Sequence, residues 1–400
     1  MLSHAAPEEF QADIIFSPNM HADDTQFTFL ELPKEIADRY FKEDAEEDGG
    51  CVLGERTGLV IRGLESDEAV LCTPTTTYAL RSVQTSNTML LLRESVRDVD
   101  EMDTGGEARR LYEIHEAMTT YQEMVPCQPR LDRLRQLLEE AMYRGPGEEA
   151  GIRARRKQDG QEMKLYTTDD FRDMIQASDA EIQKGLEDVG AVLMDGRWRL
   201  LDSSYKTSTL KYLLISAIAE DMSIDSLPEL TCVALMKEEG VPECVVRQLL
   251  RYFANEVEER DGEVFYKLSE DKIGRYLGEQ LLATAELRQT PLANFMRTWR
   301  EHVPENISID IQMLKGLCLL EESPNKTVIQ YFPKSLLPMD AKSRFETLFR
   351  CRKKWSGAEI MPYVEDLAPT AQKLDAVLLK FARVSRVGGT TFYTSRYAVK

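Results

Sequence analysis

Apolar and polar positions alternate in short runs between residues 27 and 92, which predicts a series of β-strands. The runs are rich in β-branched and aromatic residues and are separated by turn residues: FTFLEL, TGLVIRG, EAVLCT, TTYALR and TMLLLR. Their spacing suits a small barrel or sandwich. Roughly 65 residues are few for an independent β-domain, and unpaired edges would attract a partner's strands. We therefore expect residues 1–95 to form a β-rich partial barrel shared with another subunit.

The apolar period becomes helical between Ala108 and Tyr143. The segment PRLDRLRQLLEEAM begins with Pro129 and places its leucines on one stripe, as is typical of a helix packed on a core. We predict a helical connector over residues 96–143. The next segment, RGPGEEAGIRARRKQDGQE, combines Gly, Pro and charge without a period, which predicts a flexible linker over residues 144–162.

After this segment, two short helices followed by a β-hairpin recur along the chain. In the first copy Ser178 and Glu181 form a predicted capping box, and the hairpin turns on Asp195-Gly196. Later hairpins turn at Asp261, Asn325 and Gly388, so the turns lie 66, 64 and 63 residues apart. Two helices and a terminal hairpin are typical of the winged helix. The predicted fold class is α+β, with candidate winged-helix units at residues 163–204, 210–272, 288–335 and 341–400.

Charge is distributed unevenly along this acidic chain. The net charge is −19, yet residues 342–400 carry twelve Lys and Arg against five Asp and Glu. A basic end on an acidic body can meet DNA locally. The basic side chains of the fourth unit would neutralise phosphates without reading bases. The predicted DNA contacts are Lys353, Lys354, Lys373, Lys380, Arg383, Arg386, Arg396 and Lys400.

The sequence contains no motif that is typical of an enzyme active site or a metal site. There is no P-loop, no Gly-x-Ser-x-Gly and no His-Glu-x-x-His motif. The seven cysteines are scattered without a Cys-x-x-Cys pair, and the four histidines are isolated, so we expect no metal site and no cofactor. The amino terminus does not read as a secretory signal, and no apolar run approaches the roughly 20 residues of a membrane span.

Several longer segments resemble one known family. They are FTFLELP, GLVIRGLESDEAVLCTPTTTYALRSVQTSNTMLLL, LRQLLEEAMYRGP, YTTDDFRDMIQASDAEIQ, GRWRLLD, DGEVFYKL and RKKWSGAEIMPYVEDL. Together they resemble the defective-in-sister-chromatid-cohesion family over nearly the whole chain. The resemblance implies a non-catalytic nuclear subunit of the alternative replication factor C clamp loader. The β-domain of such a subunit joins a very small subunit and the tail of the large subunit in a shared barrel.

The resemblance also implies roles for particular residues. The expected subunit contacts in the β-domain are Phe29, Leu30, Leu32, Val60, Ile61, Val70, Leu71, Leu90 and Leu91. The winged helices of the family are associated with DNA and with the catalytic subunit of polymerase epsilon, in the loading or unloading of the sliding clamp. Acidic residues surround the first hairpin, which favours a protein partner there. The expected polymerase contacts are Arg197, Trp198 and Arg199, although Trp198 also fits packing on its own helices.

Two alternatives remain open at this stage. The family has three winged helices whereas this chain offers four candidates, so either the first or the third unit is degenerate or belongs to interdomain packing. A winged-helix scaffold of a transcription or chromatin complex would explain the same composition and the same repeats, with the β-domain then pairing with a transcription partner.

Overall fold

The protein is represented by a computed structural model that describes residues 12–16, 27–40, 58–65, 67–95, 110–160, 163–284, 287–323, 326–368 and 370–396. The chain divides into two compact units. Unit 1 comprises residues 1–141, 164–189 and 195–198, and unit 2 comprises residues 142–163, 190–194 and 199–400. The predicted turn at Asn325 lies outside the described residues, as does Lys400. The mixture of helices and strands confirms the α+β class.

Unit 1 is organised around a six-stranded sheet. Its strands are β1 (Ala12–Phe16), β2 (Phe29–Glu31), β3 (Val60–Arg62), β4 (Val70–Cys72), β5 (Thr77–Ser95) and β6 (Arg110–Pro126), with helix α1 (Lys34–Tyr40) after β2. The strand order is β1-β6-β5-β4-β3, and β2 also pairs with β6. Strands β1 and β2 run parallel to β6, whereas the remaining pairs are antiparallel.

Strand β6 occupies residues 110–126 of the helical connector predicted over residues 96–143. It pairs with β5 from Tyr78 opposite Pro126 to Ser95 opposite Leu111, so the two form one long hairpin. The prediction was wrong because pairing across the hairpin overrides the weak local helical period. The two short strands predicted around TTYALR and TMLLLR are likewise one strand, with register shifts that accommodate the intervening TSNT segment.

The later part of the predicted connector and the predicted linker are both helical. Helix α2 (Asp132–Glu139) buries Leu134, Leu137 and Leu138, which confirms the predicted apolar stripe. Helix α3 (Pro146–Gln158) occupies most of the segment predicted as a flexible linker. Pro146 at the first helical position and two glutamates in the first turn favour a helix start, and Glu149 pairs with Arg153 one turn later.

Two further helices complete unit 1. Helix α4 (Thr168–Met174) begins with a capping box formed by Thr167 and Asp170. Helix α5 (Asp179–Asp188) begins with the capping box that the sequence predicts at Ser178 and Glu181, which is therefore confirmed. The hairpin of β7 (Val192–Met194) and β8 (Arg197–Arg199) follows.

Unit 2 repeats one element order three times. Module A contains α6 (Ser203–Ala219), β9 (Leu227–Pro228), α7 (Glu229–Glu238), α8 (Glu243–Phe253), β10 (Ala254–Arg260) and β11 (Glu263–Leu268). Module B contains α9 (Glu270–Ala283), β12 (Gln289–Pro291), α10 (Leu292–His302), a 3-10 helix (Ile311–Leu314), β13 (Cys318–Ser323) and β14 (Lys326–Tyr331). Module C contains α11 (Ala341–Cys351), β15 (Lys354–Ser356), α12 (Gly357–Val364), α13 (Ala371–Phe381), β16 (Ala382–Val387) and β17 (Thr390–Ser395).

Each module folds its hairpin onto the short strand that precedes its second helix. The last strand of each module is central, in the orders β10-β11-β9, β12-β14-β13 and β15-β17-β16. The hairpin turns use the backbone conformation expected from their sequences. Asp195-Gly196, Asp261-Gly262 and Gly388-Gly389 all have positive φ at both positions, between 51° and 82°. These angles confirm the type I′ turns.

The cores of unit 2 lie under the repeated helices. One continuous cluster includes Leu213, Leu249 and Phe253 of module A and extends to Trp299 and Ile329 of module B. A second cluster lies in module C around Trp355. Among the helices that the structure describes, none has both the length and the hydrophobicity that a bilayer crossing requires.

Candidate subunit and nucleic-acid interfaces

One face of the N-terminal sheet presents apolar side chains to solvent. Phe16 of β1, Ile114 of β6 and Leu92 of β5 form one row across three neighbouring strands. Ile114 is buried, but Phe16 is 67% exposed and Leu92 is 41% exposed. Two residues along the same strands, Ile14 and Leu90 are also exposed. A contiguous apolar face of this kind is typical of an interaction surface.

The core beneath this sheet is small. Its buried residues are Ile36, Leu59, Leu71 and Met124, with several half-buried neighbours. In edge strand β3 the adjacent residues Val60 and Ile61, which point to opposite faces, are both exposed, whereas Arg62 is buried. The described residues therefore cover only part of the sheet.

The expected subunit contacts separate into two groups in this structure. Val60, Ile61 and Leu90 are exposed, and Leu91 is half-buried on the long hairpin. Val70 and Leu71 are buried in β4, and Leu71 belongs to the core of unit 1. Leu30 and Leu32 pack on the same core from its margin, and Phe29 is half-buried beside them. The sequence pattern alone did not distinguish an outer strand face from an inner one.

A buried polar cluster within unit 1 ties the start of α5 to the sheet. Glu181 Oε2 accepts hydrogen bonds from Thr77 Oγ1 at 2.5 Å and from Ser178 Oγ at 2.6 Å. The Arg62 guanidinium donates to Asp179 Oδ1 at 2.5 Å. Burial alone would raise the pKa of Asp179, but Arg62 holds it below the ordinary value. The Ser178–Glu181 capping box was predictable locally, but the contacts from Thr77 and Arg62 were not, because they join residues more than a hundred positions apart.

The three expected polymerase contacts on the first hairpin differ in exposure. Arg197 is exposed, and its guanidinium donates to the Leu165 carbonyl at 3.0 Å. Trp198 is half-buried, and its indole Nε1 donates to Thr168 Oγ1 at 3.0 Å. This contact agrees with the packing of Trp198 on its own helices.

Arg199 has a structural role within unit 2. It is only 3% exposed and donates from Nη1 and Nη2 to the two carboxylate oxygens of Glu149, at 2.8 and 3.2 Å. Burial raises the pKa of Glu149, but the Arg199 and Arg153 guanidinium groups outweigh that effect and lower it. Because its guanidinium is buried in a bidentate pair, Arg199 is not available to a partner protein, contrary to the expectation from the sequence.

The basic residues of module C do not all lie on one face. Lys373 and Lys380 are exposed on α13, two turns apart, whereas Leu374, Val377 and Leu378 of the same helix pack towards the core. Arg383 and Arg386 are exposed on β16, three positions apart, so they emerge from opposite faces of the sheet. Arg396 Nη1 donates to the Leu379 carbonyl at 2.8 Å, which satisfies one of the last carbonyls of α13.

Lys354 and Arg383 form a basic pair on one face of the module C sheet. Both lie directly opposite Thr394 of the central strand β17, one on each side. Phe392 is two residues away on the same strand, and its ring centroid lies 4.0 Å from Lys354 Nζ. Lys353 is exposed beside Lys354, at the start of β15. This face, defined by Lys354, Arg383 and Phe392, is called the basic sheet face below.

Module A presents the opposite charge at its hairpin. Strand β10 and its turn carry exposed Glu256, Glu258, Glu259 and Asp261 against a single exposed Arg260. The corresponding hairpin of module C carries Arg383 and Arg386. Phosphate contact is therefore electrostatically favoured at module C and opposed at module A.

No metal-binding group of three or more His, Cys, Asp or Glu side chains occurs among the residues that the structure describes. Cys72, Cys127, Cys232, Cys244, Cys318 and Cys351 are free thiols. Burial raises the pKa of several of them, and that of Cys232 to about 11, so these thiols are poor nucleophiles at neutral pH.

Fold and surfaces together define an α+β protein with an exposed apolar sheet face and a basic C-terminal module. Comparison with known proteins then identifies its family. Residues 27–364 match the family model described as "Sister chromatid cohesion protein Dcc1". The chain is 34% identical over 340 residues to sister chromatid cohesion protein DCC1 of Xenopus tropicalis, which covers 84% of each chain. It is 32% identical to the Homo sapiens protein, covering 86% of this chain and 85% of the relative.

A more distant relative extends the same pattern. Sister chromatid cohesion protein DCC1 of Saccharomyces cerevisiae is 28% identical over 366 residues, covering 84% of this chain and 90% of the relative. The chain belongs to the sister chromatid cohesion protein Dcc1 family. Membership confirms the resemblance seen in the sequence.

Proposed function

We propose that this chain is a non-catalytic accessory subunit of an alternative clamp loader, acting in the nucleus. In this role the N-terminal sheet joins the large and the very small loader subunits, and unit 2 tethers DNA and polymerase epsilon. The complex loads or unloads the sliding clamp and supports sister chromatid cohesion. Family membership supports the cohesion role, and the surfaces of the two units support the division of labour.

The observation that carries the proposal is the exposed apolar face of β1, β5 and β6. Phe16, Leu90 and Leu92 face solvent on strands that extend beyond the small core of unit 1. Burial of this face in an interface would stabilise the complex by about 25 cal/mol for each Å² of apolar surface removed from water. Strands supplied by partner subunits would also pair with the edge strands β1 and β3 and complete a barrel.

The three modules of unit 2 are proposed to be winged helices. Each has the order helix, strand, helix, helix, hairpin, with the last strand central, except that a 3-10 helix replaces the third helix of module B. This replacement supports the view that module B is the degenerate member. The first candidate unit, residues 163–204, has the same helix pair and hairpin, with Tyr166 bridged to Trp198 in place of a first strand.

DNA contact is proposed for module C, and polymerase contact for the first hairpin through Arg197 and Trp198. The contacts proposed on module C are Lys353, Lys354, Lys373, Lys380, Arg383, Arg386 and Arg396, with Lys400 beyond the described residues. Their charge is suited to phosphates and gives no sequence-specific readout. Val70 and Leu71 support the β-domain from within its core, whereas Phe16, Leu90 and Leu92 meet the partner subunits.

Co-expression with the large and very small clamp-loader subunits tests the assembly role. Phe16→Ser combined with Leu92→Ser should reduce co-purification of both subunits by at least about tenfold, since each change removes apolar area at the interface. The matched control is Leu230→Ser combined with Val257→Ser, two residues of similar exposure in module A. Equal co-purification of both double variants would refute the assignment. Capture of transcription or chromatin subunits in place of clamp-loader subunits would favour the rival scaffold function.

A further inference from the structure

Helix α6 of module A exposes apolar side chains on the side that faces away from the core. Tyr212 is 39% exposed, Ile215 is 60% exposed and Ile218 is 49% exposed. These residues lie three positions apart and therefore share one side of the helix. The buried side is formed by other residues, namely Leu210, Leu213, Leu214 and Ala217. The core of module A is formed by the buried side, and Tyr212, Ile215 and Ile218, the outer stripe of α6, lie outside that core cluster.

Carboxylates border this outer stripe at both ends. At one end Glu238 and Glu239 are exposed at the carboxyl end of α7, and the pKa of the Tyr212 phenol is raised, chiefly by the Glu239 carboxylate. At the other end Glu220 and Asp221 follow directly after Ile218 at the end of α6, and both are exposed. The carboxyl ends of α6 and α7 add partial negative charge at these two places.

We infer that the outer stripe of α6 is a docking site for a basic amphipathic helix of a partner protein. The apolar side of that helix covers Ile215 and Ile218, and its flanking Lys or Arg side chains meet the carboxylates at the two ends. From Tyr212 to Ile218 the stripe spans about 9 Å, close to two helical turns of such a ligand. Helix-on-helix docking through residues at this spacing is an established mode of peptide recognition.

The negative charge at both ends of the stripe favours a basic helix over a second copy of this chain or a nucleic acid. A second copy of the chain would bring the same carboxylates against each other, and like charges in an interface are strongly unfavourable. Nucleic acid is disfavoured by the same border, where four carboxylates outnumber the neighbouring Lys211 and Lys237. The inference depends only on module A and does not require the clamp-loader assignment.

Two synthetic peptides with the same leucine side provide the probes, one flanked by lysines and the other by glutamates. Each is labelled with fluorescein and titrated with the full chain in fluorescence anisotropy. We expect the lysine peptide to bind and the glutamate peptide not to bind. Ile215→Ser with Ile218→Ser should weaken binding of the lysine peptide by at least about tenfold. The control Val257→Ser, a residue that is 57% exposed on the module A hairpin, should change it by less than about twofold.

A pair of charge reversals separates specific docking from general attraction to an acidic protein. Glu238→Lys with Glu239→Lys should weaken the lysine peptide by at least about tenfold, whereas Glu256→Lys with Glu259→Lys on the hairpin should not. Equal weakening by both charge reversals, or unchanged binding in the isoleucine variant, would overturn the inference. Self-association that Ile215→Ser abolishes would also overturn it, since the occupant would then be a second copy.

Discussion

Lys206 offers the most quantitative prediction in unit 2. It lies on α6, is only 8% exposed, and its ammonium sits 3.5 Å from the centroid of the Tyr252 ring and 5.0 Å from that of Tyr276. Burial lowers its pKa from the ordinary 10.5 to about 8, although the Glu279 carboxylate opposes that shift. The substitution Lys206→Met keeps the length of the side chain and removes the buried charge.

The magnitude follows from the two pKa values. Between pH 8 and 10.5 the unfolded chain still holds the Lys206 proton that the folded chain has lost. The free energy of unfolding therefore rises with pH across this window, by about 3 kcal/mol in total. The attraction of the ammonium to the Tyr252 ring offsets roughly 1 kcal/mol of that amount. Lys206→Met should thus be more stable than the wild type by about 2 kcal/mol at pH 7, and the difference should shrink steadily as the pH rises to 10 and vanish only above about pH 10.5.

Urea unfolding of the full chain, followed by tryptophan fluorescence between pH 7 and 10, measures this difference. The difference between wild type and variant is used because several Tyr and Cys groups with raised pKa values titrate near the same range in both proteins. Lys237→Met, a change at an exposed position of α7, is the control and should show no such dependence. A variant that is less stable at pH 7, or a difference independent of pH, would show that the aromatic rings outweigh the burial of the charge.

Three further predictions concern other contacts. Glu181→Gln should lower the free energy of unfolding by about 2 kcal/mol, since one carboxylate oxygen accepts several buried hydrogen bonds; an unchanged urea midpoint would contradict this. Arg199→Met should cost about 3 kcal/mol at pH 7, because the partly buried Glu149 carboxylate would keep only the exposed Arg153 as a partner. Because the lowered pKa of Glu149 contributes stability above about pH 4.5, the substitution should also flatten the loss of stability on acidification below that pH. Lys354→Glu with Arg383→Glu should weaken binding to a duplex and reduce its salt dependence by about two phosphate contacts, whereas a control Lys237→Glu should leave the salt slope unchanged; equal slopes in both would show that the basic sheet face does not meet DNA.

Local signals allowed part of this architecture to be predicted from the sequence. The turn at Asp195-Gly196 was predictable because few other residue pairs tolerate positive φ at both positions. The capping box at Ser178 and Glu181 is equally local, since its partners lie three residues apart. The repeated hairpin spacing indicated the modules of unit 2 in the same way.

The features that the sequence did not predict depend on distant partners. Strand β6 forms because β5 pairs with it along its length. The short strands β9, β12 and β15 likewise form by pairing with the hairpins, and they are too short to show an alternating apolar pattern. Arg199 is a basic residue beside a tryptophan on the predicted hairpin, but Glu149, fifty residues earlier, holds it in the interior. Burial of Val70 and exposure of Val60 likewise depend on which face of the sheet the core covers.

Hydrogen–deuterium exchange of the co-expressed assembly tests the central claim most directly. The protein alone is compared with its complex with the large and very small clamp-loader subunits. We expect slower exchange in the complex at residues 12–16, 88–95 and 110–118, where apolar side chains face solvent and β1 forms an edge of the sheet. Unchanged exchange in those segments, with protection elsewhere in unit 1, would contradict the claim that the N-terminal sheet is completed by its partner subunits.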